Sequence, residues 1–202
     1  LKYADPDNPN ILTIGFARRF ATYKRAALLF QNPTWLREII TQANRPVLFL
    51  FAGKAHPADH PGQEIIRKIA EIAKRPEFEG RILLVEGYDL HLSRSLVAGV
   101  DVWLNNPIYP LEASGTSGMK AAHNGIPSFS TLDGWWIEGH IEGVTGWSIG
   151  SASSVSPDGD ANDLYRKLED EVALTFYRAR EKWIDIMRHS IALNASFFNT
   201  HR

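Results

Sequence analysis

The residue types best suited to chemistry fall in three short stretches. Arg18, Arg19, Lys24 and Arg25 place four cations within eight residues, with Phe20 and Tyr23 among them. Guanidinium forks and ammonium groups at that density hold phosphate well, and aromatic neighbours would wall such a site. Spread along an exposed helix, the same residues would be a solvated face, and both readings stay open. The second stretch is Glu112-Ala113-Ser114-Gly115-Thr116-Ser117-Gly118-Met119-Lys120. Gly115 and Gly118 let backbone N–H groups approach a ligand closely. A helix starting there would add unpaired donors and a dipole that favours an anion. Thr116 and Ser117 supply hydroxyls. The Walker pattern is absent, because the lysine comes one turn later; the plainer alternative is a helix start capped by Ser or Thr. Lys120, beside Met119, Ala121 and Ala122, is expected in the first turns of a helix facing the sheet. A partly buried lysine has a depressed pKa and can form a Schiff base, although the local sequence by itself favours an exposed one. The third stretch is Asp133-Gly134-Trp135-Trp136-Ile137-Glu138-Gly139, whose tryptophans read equally as core or as a platform for a sugar or another chain. Its carboxylates could bind hydroxyls or cap a turn. His56 and His60 are four apart, but Pro57 argues against a helix between them and no carboxylate set accompanies them; no metal site is expected.

These stretches need elements to position them. Buried strands are expected at Ile11–Phe16, Val47–Ala52, Arg81–Val85, Asp101–Leu104 and Ile126–Leu132. Helices are expected at Tyr23–Ala43 with a break near Pro33, and at Pro61–Lys74, Leu90–Ala98, Gly115–Asn124, Asp158–Ala179 and Glu181–Ala195. Short runs apolar on both faces, alternating with helices, predict a Rossmann-like α/β fold: a parallel sheet with helices on both faces. Such sheets bind ligands beyond the carboxyl ends of their strands. That is where all three stretches fall, together with Gly53-Lys54-Ala55-His56 and Gly87-Tyr88-Asp89. No internal repeat is visible, and Ser151 to Asp160 reads as a loop too short to link domains.

Composition limits the function classes. The 202 residues suit one large domain or two small ones at roughly 150 residues each, and we read a single Rossmann-like domain over 1–202. A net charge of −1 argues against a generic nucleic-acid or acidic-membrane binder. There is no cysteine, which excludes disulfides, thiolate zinc sites and a thiol nucleophile, and fits a reducing cytoplasm. No apolar run approaches the ~18 residues of a membrane span, and Leu1 to Asn10 is too polar for a signal peptide. The chain starts at Leu1 and stops after Asn199-Thr200-His201-Arg202, so it reads as a fragment of something larger.

Taken together, the lysine stretch Glu112 to Lys120 resembles the pyridoxal-phosphate motif of α-glucan (glycogen or maltodextrin) phosphorylases, and Arg18 to Arg25 resembles their phosphate-binding segment. Asp101-Val102-Trp103-Leu104-Asn105-Asn106-Pro107, Leu132 to Trp136 and Phe198 to Arg202 also fit, most like the shorter bacterial and archaeal branch. The resemblance covers nearly the whole chain in order, and the lysine motif is its most specific part. It implies the second, Rossmann-like domain of a glycosyltransferase-B fold, and an enzyme that cleaves terminal α-1,4-glucosyl residues with inorganic phosphate to α-glucose 1-phosphate. It implies pyridoxal phosphate on Lys120, working through its phosphate group. By the same resemblance Arg18, Thr116 and Ser117 match contacts to the cofactor phosphate. Arg19 and Lys24 match the substrate-phosphate clamp, and Glu112, Ser114 and Gly115 match contacts to glucose. Tyr88 matches a flank of the cofactor ring. Two departures stand out: Arg18 replaces a lysine of the well-known branch, and Ser117-Gly118 replaces Gly-Asn before the methionine.

The partners implied are an α-1,4-glucan, inorganic phosphate and a missing amino-terminal domain. That domain supplies half the cleft, so the fragment is expected to lack turnover, and its uncovered face would favour self-association. Two other readings use the same fold: a nucleotide-sugar-dependent glucan synthase domain, and a non-catalytic domain that binds phosphate or glucan. Lys120 within the full motif separates the first of these, because a nucleotide-sugar enzyme has no use for a Schiff-base lysine there.

Overall fold

The computed structural model describes residues 8–151 and 156–200. Six strands form one sheet in the order β3-β2-β1-β4-β5-β6, and every pairing is parallel. They are β1 (Leu12–Ala17), β2 (Val47–Ala52), β3 (Ile82–Val85), β4 (Val102–Asn105), β5 (Ser128–Thr131) and β6 (Gly146–Ile149). The order runs outward from β1 on one side and from β4 on the other. The carboxyl ends of those two strands therefore flank the switch point where doubly wound sheets open a crevice. β1 and β2 pair along their whole length, from Leu12 opposite Val47 to Ala17 opposite Ala52.

Both faces are covered, as the doubly apolar strands require. One face packs on α1 (Pro33–Ile40), α2 (His60–Ala73), α6 (Pro157–Lys167), α7 (Ala173–Arg178) and α8 (Arg180–His189) through Phe49, Phe51, Leu104, Ile39, Ile69, Leu164 and Trp183. The other packs on α3 (Leu90–Gly99) and α4 (Thr116–His123), where Leu96, Val97 and Ala121 meet Ala17, Ala52 and Trp103. Among the described residues no helix is long and apolar enough to cross a membrane.

The expected Tyr23–Ala43 helix is not continuous. Two tight 3₁₀ turns, Thr22–Lys24 and Ala26–Phe30, precede α1. Arg25 sits between them with φ 49°, a left-handed backbone that stops any helix. Asn32 then starts α1, its side-chain oxygen accepting from Trp35 N–H at 3.0 Å, with Pro33 in the first turn. The expected Asp158–Ala179 helix begins a residue earlier, capped by Ser156 and opened by Pro157. It widens into a π-type turn at Leu168–Val172 before α7. β6 was not anticipated: Gly-Trp-Ser-Ile is four residues long and glycine-flanked, so it carries no strand-length pattern. Trp135 and Trp136 are core, 3% and 0% exposed, and Trp136 opens the one-turn α5 (Trp136–Gly139). Leu1–Asp7 at the start, and His201 and Arg202 of the terminal motif, lie outside the described residues.

Candidate functional site

The site forms where the loops after β1 and β4 meet. Arg18 is the first residue past β1, and its N–H donates to Ala52 O of β2 at 3.1 Å. Its guanidinium turns toward the β4 loop. There Nη2 donates to Ser117 Oγ at 3.0 Å and Nη1 lies 3.5 Å from Glu112 Oε2. Lys24 Nζ pairs with the same Glu112 oxygen. The loops are also tied by backbone, Ile108 N–H donating to Tyr23 O at 2.8 Å. A third support comes from the loop after β5. Asp133 accepts from Glu112 N–H at 2.9 Å, and Trp135 N–H donates to Ser114 O at 2.7 Å. Asp133 is thus a buried brace for Glu112, the turn-capping alternative of the sequence reading, while Glu138 is exposed on α5.

The electrostatics are those of a desolvated cation pair sharing one carboxylate. Burial pushes the Arg18 guanidinium down to about 10, while Glu112, Tyr23 and Tyr88 pull it upward. It stays charged at neutral pH. Arg18 Nε is buried and has no partner, and a buried donor without a partner is costly. A group with several acceptor oxygens would relieve it. A phosphate fits this donor set: guanidinium, ammonium and hydroxyl converge, beside a helix start at Gly115 whose φ is 87°.

Thr116 is the exposed first residue of α4, and Ser114 and Gly115 are half-buried on the approach to it. Tyr88, half-buried after β3, donates to Ser93 Oγ at 3.3 Å and is near enough to act on Arg18. Arg19 is exposed.

One expectation needs correction. The four cations do not act as one cluster. Arg25 is drawn away, its Nε donating to Asn106 O at 2.8 Å, Nη2 to Pro107 O at 2.9 Å and Nη1 to Asp160 at 2.6 Å. It clamps loops and is spent as a ligand. Lys120 is exposed, as its local sequence favours, while α4 itself packs on the sheet. Ala121 and Ala122 occupy the inward positions, 0% and 2% exposed. Lys120 instead lines an open pocket of about 390 Å³ with Arg94, Val97, His123 and Asn124, between α3 and α4. It lies one helical turn after Ser117, hence on the same side of α4. His56 Nδ1 serves a turn by accepting from Ala58 N–H at 3.1 Å, and His60 is the first residue of α2.

Two residues at the site were given no individual role by the sequence. Trp103, fully buried in β4, donates from Nε1 to Ser117 Oγ at 3.2 Å. Asn105 ends β4 with both amide atoms buried and unpartnered. Trp103 read as a strand residue within the Asp101–Pro107 stretch of the resemblance; an asparagine closing an apolar strand at a carboxyl end was the available hint for Asn105.

A family model described as carbohydrate phosphorylase matches residues 8–145. Over 199 residues the chain is 51% identical to maltodextrin phosphorylase of Thermococcus litoralis, covering 96% of this chain and 24% of that relative. Over 190 residues it is 50% identical to glycogen phosphorylase of Aquifex aeolicus, covering 90% and 27%. The chain spans about a quarter of the length of these curated relatives. Among solved structures, Anabaena Alr3699/HepE in complex with UDP and glucose matches with a TM-score of 0.68 at 19% identity, over 94% of this chain and 45% of that one. At that identity the likeness shows the fold alone, that of one Rossmann-like half of a glycosyltransferase-B arrangement.

Proposed function

This chain belongs to the carbohydrate phosphorylase family, and on that premise we propose that it is the phosphate-binding part of an enzyme that phosphorolyses terminal α-1,4-glucosyl residues of a glucan to α-glucose 1-phosphate. The observation that carries the proposal is the buried meeting of Arg18, Lys24, Glu112 and Ser117 at the switch point. The donor set suits pyridoxal phosphate, with Lys120 attaching it, Arg18, Thr116 and Ser117 holding its phosphate, and Tyr88 beside its ring. When bound, that cofactor supplies a phosphate group able to exchange a proton with a substrate phosphate.

Every other task falls to the chain itself. Arg19 and Lys24 bind the substrate phosphate, and Glu112, Ser114 and Gly115 bind glucose hydroxyls. Two phosphates held close repel by several kcal/mol (about 4 kcal/mol per pair of unit charges at 4 Å and an effective dielectric of 20). Arg18 and Lys24, with Arg19 at the rim, offset that repulsion, and a site built in advance does so without reorganising during the reaction. Glycosyl transfer through an oxocarbenium-like state is helped by an anion beneath the ring. Substrate phosphate fills that role, so no protein nucleophile is required.

The remaining three-quarters of such an enzyme would complete the cleft, and we propose that this chain alone does not turn over. An uncovered cleft face would make it self-associate, and a cytoplasmic setting suits a chain without cysteine. The test is an assay of glucose 1-phosphate from maltodextrin and inorganic phosphate, run on the full-length parent and on these 202 residues. Formation by the parent alone is expected. No formation by the parent would overturn the function, and formation by the short chain would overturn the need for the missing part.

A further inference from the structure

We infer that Trp103 is a positioning residue for the phosphate site, acting through the Ser117 hydroxyl; this rests on reading the Arg18 constellation as that site. A serine hydroxyl has one hydrogen to give and two lone pairs to fill. At Ser117 Oγ, Arg18 Nη2 donates at 3.0 Å and Trp103 Nε1 at 3.2 Å. Both lone pairs are taken. The hydroxyl is left with its hydrogen and must act as a donor to a third group. An anion oxygen arriving there would find that hydrogen ready for it to accept. The same contact fixes the guanidinium plane of Arg18, whose Nε remains buried and unpartnered.

Trp103 is well placed to hold this arrangement. It lies on β4, opposite Gly15 of β1, and is fully buried. Gly15 makes the room: a Cβ there would stand 2.9 Å from Val100 Cγ1 and 3.4 Å from the indole Cζ3. The ring therefore lies against the sheet with little freedom, and its N–H reaches out of the core to α4. Removing that N–H reopens one lone pair of Ser117. The hydroxyl then gains other orientations, and Arg18 loses its fixed direction.

The test is a double-mutant cycle on this chain, with inorganic phosphate as the titrant and calorimetry as the readout. Trp103→Phe keeps an aromatic ring in the core and deletes the N–H. Phosphate affinity should fall about five- to tenfold, the size of one hydrogen bond between neutral groups. Ser117→Ala should cost at least as much. In the Ser117→Ala background, Trp103→Phe should cost nothing further, because its route is gone. Additive losses, or an unchanged Trp103→Phe, would overturn the inference and leave the phosphate site standing. Absence of saturable binding by the unsubstituted chain would overturn the phosphate site and the inference with it. Should Trp103→Phe fail to fold, the assigned Trp103 indole N–H resonance decides. It should move on phosphate addition and stay still in Ser117→Ala; movement in both, or in neither, overturns the inference.

Discussion

Glu112 and Lys24, 88 residues apart, form an ion pair at the switch point in which both side chains are about nine-tenths buried. The carboxylate also faces Arg18. One anion thus shields two cations, and an arriving phosphate must compete with it. Glu112→Gln should tighten inorganic phosphate binding about fivefold, on the order of 1 kcal/mol for removing one like charge near a bound anion. In the full-length parent the same change should lower glucosyl transfer, because the proposed glucose contact is weakened. Titration calorimetry and a phosphorolysis assay read the two effects separately; weaker phosphate binding would contradict the shielding role.

Arg25 and Asp160 are each 8% exposed and pair at 2.6 Å. Deleting one partner of such a pair leaves an uncompensated buried charge and costs about 3–5 kcal/mol. Arg25→Ala should destabilise the chain by that order in urea unfolding. Arg25→Ala with Asp160→Ala should recover part of the loss, and a loss that fails to shrink would count against the clamp.

Gly118 lets α4 lie on an indole: a Cβ there would stand 2.7 Å from Trp135 Nε1. Gly118→Ala should therefore push α4 away and cost about 1–3 kcal/mol, the usual range for overpacking. A thermal melt unchanged from the parent sequence would show that the ring can yield.

Glu142 supplies an acid-sensitive contact away from the site. Burial raises its carboxyl, but hydrogen bonds from His140, Lys167 and Ser148 outweigh that and bring it to about 2, against an ordinary 4.5. The folded value is the lower one, so the folded state binds fewer protons across that interval. Its stabilisation is present above pH 4.5 and is lost as pH falls toward 2. Because the side chain is 39% exposed, solvent screens the effect. Glu142→Gln should flatten the acid limb of the stability profile, and an unchanged limb would assign it to other carboxylates.

Much of this was legible in local runs. Val47–Ala52 declares itself as a buried strand, and its alternation with helices yields the parallel sheet and the end of it where ligands bind. Arg18, Lys24, Glu112 and Ser117 came from two contiguous stretches, each readable by itself. What was hidden depends on contacts far apart in sequence. Arg25 looks like its neighbours until Asp160 and the Asn106 carbonyl take it, and its left-handed backbone breaks a segment whose composition suits a helix. Trp103 reaches Ser117 across 14 residues, which no strand periodicity reports.

The central claim is that these residues encode the cofactor and phosphate site around Lys120. Borohydride reduction after adding pyridoxal phosphate, followed by peptide mapping by mass, tests it most directly. A stoichiometric adduct confined to Lys120 is the expected result. Adducts scattered over the lysines, or none on Lys120, would contradict it.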